Sequence, residues 1–184
     1  MAIKTFSALE YMNATNYNTY CQNNGLKWLD TQTTTTATFL RSDVFTTEFD
    51  RYRIIVDSYK PNNATDSLFL RLRTSGGAYS GTQYYSAVTG VNFATAAVNN
   101  GGGLLNLFYI TNGANTRSSG ATIEINNVRT SAKPTFFWQN INADNGNNNL
   151  GGGFINNAAD YVGVELFGSG TMTCNMSIYG YRKA

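Results

Sequence analysis

Histidine is absent from the 184-residue chain. That absence removes Ser-His-Asp and Cys-His nucleophile pairs, histidine metal sites and the commonest general base together. Charge is also scarce: Asp, Glu, Lys and Arg make up 13% of the residues, about half the usual share. The net charge is +2, and there is no Lys/Arg cluster and no aromatic-glycine RNA-binding motif. Nothing here points to a nucleic-acid partner. Cysteine occurs only at positions 21 and 174, which fits neither a disulfide framework nor metal-ligand spacing. Free thiols are expected. The first residues, MAIKTFSALEYMNATNY, lack the apolar stretch of a secretory signal or membrane span. No membrane insertion is expected, and an extracellular role would need another exit, such as host lysis.

Asn, Thr, Ser and Gly fill the gap left by charge. A surface of amides and hydroxyls stays soluble without strong fields, and suits contacts to sugars or to other protein copies.

The chain divides at about residue 25. Phe6, Leu9, Met12, Tyr17 and Tyr20 have a loosely helical spacing that Asn24-Gly25 ends. Residues 1–25 therefore read as a short helix or irregular arm, either packed on its own domain or docked on a neighbouring subunit. From 26 to 184 the signal is short apolar-alternating runs between Gly- and Asn-rich clusters. Strands are expected over 26–30, 36–41, 51–59, 67–74, 83–89, 104–110, 121–128, 134–141, 161–167 and 171–181. Turns are expected at "KPNNATD", "SGGAYSGT", "NNGGG", "TNGANTRSSG" and "NADNGNNNLGGG". Short strands with no helices between them predict an all-β, antiparallel sandwich or barrel.

Alternation then assigns faces. Leu68, Leu70 and Leu72 point inward, opposite Phe69, Arg71 and Arg73. Tyr52, Ile54 and Val56 point inward, opposite Arg51, Arg53 and Asp57. If these two strands pair directly, Ile54 meets Leu72 and Val56 meets Leu70, since a one-residue slip would bury arginines. In the last strand Met172, Cys174, Met176 and Ile178 face the core, so Cys174 behaves as a small core residue. The two Gly-Gly-Gly runs, 101–103 and 151–153, precede no Gly-Lys-Ser/Thr and open no helix, so neither is a phosphate loop.

Candidates for chemistry are few. Glu124 and Glu165 lie on the outward parity of their strands and could share a groove as an acid–base pair; solvated strand-face acids are the alternative. "DNGNNN" at 144–149 lacks the spaced carboxylates of a calcium loop. No metal, cofactor or catalytic residue is assigned. Tyrosines are more informative. Tyr79, Tyr84 and Tyr85 lie in or beside "GGAYSGTQYYS", and neighbours in a strand cannot both point inward. Tyr179 and Tyr181 fall on the outward parity of the last strand, unless a bulge at Gly180 swaps Tyr181. Exposed tyrosine beside Asn and Ser suits sugar binding, the ring taking C–H groups and the amides the hydroxyls. It equally suits subunit packing. Arg53, Arg71 and Arg73 are added as an outward face able to hold phosphate or carboxylate groups.

"DVFTTEFDRYRIIVDSY", "LFLRLRTSGG", "QYYSAV" and the terminal "GSGTMTCNMSIYGYR" together resemble a pattern in tailed-phage virion proteins: tail-fibre, tail-associated and head-decoration components. The likeness covers roughly residues 40–90 and 160–182. It implies a jelly-roll β-sandwich and a non-enzymatic structural role in the virion, after assembly in the host cytoplasm. Its partners would be copies of itself, with a trimer the expected count, other virion proteins and host-surface polysaccharide. A head-decoration role, or a carbohydrate-binding module with no virion role, is the alternative. The resemblance carries over no ligand residues.

Overall fold

Burial on every second residue sets the architecture. The computed structural model describes residues 25–63, 66–105, 107–112, 118–142 and 146–182. The expected arm, with Cys21, thus lies outside the described residues except for Gly25. Thirteen strands are described: β1 (Leu26–Thr34), β2 (Thr38–Arg41), β3 (Phe49–Pro61), β4 (Ser67–Thr74), β5 (Gly77–Ala78), β6 (Tyr84–Asn92), β7 (Val98–Leu105), β8 (Phe108–Asn112), β9 (Ser119–Asn126), β10 (Thr135–Asn142), β11 (Asn147–Ile155), β12 (Gly163–Gly168) and β13 (Met172–Arg182). No helix occurs among the described residues. All pairings are antiparallel and form two stacked sheets. The larger runs β1-β13-β3-β9-β10-β11-β6-β7; the smaller runs β2-β12-β4-β5, with β8 also beside β4.

Eight of these strands make a jelly roll. In chain order they are β1, β2, β3, β4, β8, β9, β12 and β13. Four form β1-β13-β3-β9, and the other four form β2-β12-β4-β8. This interleaving of two Greek keys defines the jelly-roll sandwich. The interior between the sheets is filled from both sides. Tyr52, Ile54, Val56, Ile123, Ile125 and Ile178 meet Leu68, Leu70, Leu72, Val164 and Leu166, all fully or almost fully buried. Each such side chain contributes about 1.5–3 kcal/mol of burial. Cys174 lies in this layer as a free, buried thiol. Burial pushes its pKa up to about 12.

The expected faces of β3 and β4 are observed, but their direct pairing is not. β3 lies between β13 and β9 in the large sheet; β4 lies beside β12 in the small one. The inward leucines and isoleucines oppose one another across the core rather than along a ladder. The reason is the connection after Pro61, which climbs from one sheet to the other instead of reversing within one. Asn62 donates its backbone N–H to Thr171 O at 3.0 Å, and Ser67 donates its own to Ser169 Oγ at 3.0 Å. The β3–β4 and β12–β13 crossovers are therefore held against each other.

The four remaining long strands are an extension. β6–β7 is inserted between β4 and β8, and β10–β11 between β9 and β12. Together they continue the large sheet as β10-β11-β6-β7. Both Gly-Gly-Gly runs, expected as turns, are strand segments here, in β7 and β11. The expected strand 104–110 is likewise divided between β7 and β8, which belong to different sheets. Tertiary contact overrides glycine's turn preference. Gly151 and Gly153 lie beneath Trp138 and Phe108: a Cβ on Gly151 would collide with the Trp138 ring, and one on Gly153 would reach Phe108 Cε1 at 2.7 Å. Phe108, from the small sheet, packs on Phe136 (4.2 Å between ring centroids), Tyr84 (4.9 Å) and Trp138 (5.8 Å). It ties the extension to the jelly roll. The 50-residue separation of the two glycine runs has a register meaning: 101–103 and 151–153 flank the same three residues of β6, Ser86–Val88.

Candidate interaction surface

The outer face of the large sheet is built of straight rows, because directly paired residues share a face. One row crosses all eight strands. It runs Trp28, Tyr179, Arg53, Glu124 on the jelly-roll half, then Phe137, Gly152, Ala87, Gly102 on the extension. The two halves differ in chemistry.

On the jelly-roll half the centre is Glu124, only 6% exposed. Its carboxylate accepts hydrogen bonds from Arg51 Nε at 2.9 Å, Arg53 Nε at 2.5 Å and the Tyr181 hydroxyl at 3.0 Å. Arg51 also stacks over the Tyr181 ring, 4.5 Å from its centroid. The Glu124 hydrogen bond raises the Arg53 pKa. Burial first, and then the Glu124 contact, raises that of Tyr181. Two guanidinium groups and one carboxylate leave this cluster one positive charge, held in a fixed arrangement.

On the extension the outer face is apolar. Ten of the thirteen exposed large apolar side chains of the described residues lie in or beside β6, β7, β10 and β11. Phe137 (51% exposed), Ile141, Leu150, Phe154, Tyr85, Val91, Val98 (63%) and Leu104 all occupy outer-face positions. Gly152, Ala87 and Gly102 form the floor of a trough. One wall is Phe154, Tyr85 and Leu104, in which Tyr85 and Phe154 stack with centroids 4.9 Å apart and planes 6° apart. The other wall is Leu150, Thr89 and Asn100, where Thr89 donates its hydroxyl to Asn100 Oδ1 at 2.7 Å. A shallow groove of about 410 Å³ lies over this floor.

The eight residues singled out from sequence separate into three places. Arg53, Tyr85, Tyr179 and Tyr181 are on the outer face of the large sheet, and Tyr181 is not swapped inward. Arg71 and Arg73 are on the outer face of the small sheet, paired in register with Glu165 and Gly163. Arg71 stacks on Phe167 at 4.7 Å. The three arginines therefore do not form one face, because β3 and β4 belong to different sheets. Tyr84 is fully buried: its hydroxyl accepts from Leu72 N at 3.2 Å and donates to Tyr79 O at 2.8 Å. Burial raises its pKa. Tyr79 packs against Tyr84 and Tyr161 and donates to Gln83 Oε1 at 2.7 Å. Tyr84 is thus a core residue and not a ligand contact, and Tyr79 is half-buried against the core, since the 79–84 stretch folds over the edge of β4. Glu124 and Glu165 are on opposite outer faces and cannot act as a pair. Among the described residues no cluster of three His, Cys, Asp or Glu could hold a metal.

Sequence reasoning passed over Phe137, Leu150, Phe154 and Leu104. One signal was present: Phe136 and Phe137 are adjacent in a strand, so one of them must face out, as with Tyr84 and Tyr85.

No known protein family, curated protein or solved structure matches the chain.

Proposed function

We propose that the chain is a non-enzymatic structural protein of a tailed-phage particle that works by associating with copies of itself and with neighbouring virion proteins. The observation that carries this reading is the apolar outer face of the β10-β11-β6-β7 extension. Single exposed apolar residues are ordinary, but a contiguous set on one sheet face is the mark of a covered surface. The virion setting rests on the motif resemblance, and the scarcity of charge is compatible with close packing of copies. The test is the solution mass of the purified full chain by sedimentation. An oligomer is the predicted result; a monomer at every concentration overturns the reading. In the oligomer, Phe137→Lys with Leu150→Lys lowers the mass, because two buried contacts become charged.

A second reading, contact with host-surface polysaccharide, is favoured by the trough. It has an aromatic wall for C–H groups and a hydroxyl–amide wall for sugar hydroxyls. Retention of the protein on host polysaccharide, lost in Tyr85→Ala, supports it; equal retention of both chains removes it.

A further inference from the structure

The large sheet has two edges, and they are treated differently. At one edge, β1 carries Lys27 and Asp30, a register shift between Trp28 and Asp30, and ion pairs from Lys27 to Glu48 and from Asp30 to Arg41. Charges and bulges are the usual devices that stop an edge strand from recruiting another chain. The small sheet is bounded by short strands: β2 has 4 residues, β8 has 5 and β5 has 2. β7 has none of these protections. It is 8 residues long, VNNGGGLL, without charge or proline, and its pairing with β6 has no register shift. No other described strand pairs with it.

We propose that β7 is a self-recognition edge: it pairs antiparallel with β7 of a second copy about a two-fold axis, joining two large sheets into one. A strand that meets itself must carry no like charges that would face each other, and β7 carries no charge at all. Two-fold symmetry makes an antiparallel partner of the same strand automatically, so no second surface is required. Keeping both outer faces on one side of the joint sheet requires the axis to pass through a residue rather than between two. Centred on Gly102, it sets Leu104 of each copy against the other copy's Asn100. The trough floors then run together through the axis, between the Phe137 side chains of the two copies. The absence of Cβ atoms at 101–103 lets the two backbones meet without side-chain interference. This inference rests on the self-association reading above.

The experiment compares sedimentation masses of the full wild-type chain, Gly103→Lys with Leu105→Lys, and Phe137→Lys with Leu150→Lys. A Cβ at Gly103 meets nothing within 4 Å, and Leu105 is 46% exposed, so the edge variant folds; circular dichroism checks this. The expected result is an even-numbered wild-type assembly whose mass is halved in the edge variant, while the Phe137/Leu150 variant still contains pairs. Hydrogen exchange within 98–105 becomes faster in the edge variant. An edge variant with unchanged mass, or a wild type that is a trimer, overturns the β7 contact and leaves self-association standing. A monomeric wild type overturns both.

Discussion

The jelly roll and its four-stranded extension are parts of one sheet, yet they meet the outside differently. On the jelly-roll half, outward positions carry Arg51, Arg53, Glu124 and Tyr181, and these satisfy one another. On the extension the equivalent positions carry Phe137, Leu150, Phe154 and Leu104, which nothing described covers. The inner faces reverse the contrast. The jelly roll fills its interior with branched aliphatic side chains. The extension places Gly151 and Gly153 beneath Trp138 and Phe108, so its strands are held by a few large rings. One half is a self-sufficient core; the other is a platform whose apolar side no described residue covers.

The comparison can be broken most forcefully at Leu70. Leu70→Ala in the jelly-roll core should cost about 3 kcal/mol, in the range for a buried leucine that leaves a cavity. Phe137→Ala on the extension should cost less than about 0.5 kcal/mol in the separated chain. Denaturant midpoints measure both, and equal losses would erase the distinction between core and platform. Next come two adjacent glycines. Gly151→Ala should cost about 2 kcal/mol, because its methyl group collides with the Trp138 ring. Gly152→Ala, on the outer face with its nearest neighbour at 3.6 Å, should be close to neutral. Thermal melts of the pair test whether the glycines are there for packing rather than for turns.

Alkaline pH should weaken the jelly-roll interior. The Cys174 thiol has a model-compound value of 9.0 and titrates at about 12 in the fold; Tyr161 moves from 10.0 to about 12, in both cases mainly through burial. The unfolded chain therefore loses these protons first. The stabilisation is complete below about pH 9 and falls as pH rises toward 12, by about 1.5 kcal/mol at pH 10. Urea midpoints at pH 8 and pH 10 read the loss, and Cys174→Ala should shrink it. A smaller loss than that of Gly151→Ala is expected at Glu124. Glu124→Gln should cost about 1 kcal/mol, since both arginine partners are partly exposed and water can replace the lost acceptor. A loss above about 3 kcal/mol would make the cluster a structural keystone rather than a surface feature.

Much of the jelly roll was legible before any coordinates. Leu68, Leu70 and Leu72 alternate with Phe69, Arg71 and Arg73, and Met172, Cys174 and Met176 alternate with Thr173, Asn175 and Ser177, and period-two burial leaves those patterns only one orientation. Only half of the extension was legible: β6 and β10 match the strands expected over 83–89 and 134–141, whereas β7 and β11 use glycine and asparagine, the residues that elsewhere mark turns. β11 reads as a loop until Trp138 is known to lie over Gly151. The direct β3–β4 ladder failed for a related reason: alternation tells which side of a strand is inside, but not whether the next strand lies beside it or across the core. The candidate site suffered the same limit. Arg53 and Arg71 have the same outward parity, and the sandwich puts them on opposite faces.

Composition and alternation alone were enough to make this chain an antiparallel β protein with a leucine- and isoleucine-lined interior, because a strand's side-chain period is a local property of its backbone. Which strands became neighbours, and which outward residues came together as a surface, depended on the sheet order. That order follows from long-range packing such as Phe108 against Phe136 and Trp138, contacts between segments that share no local signal.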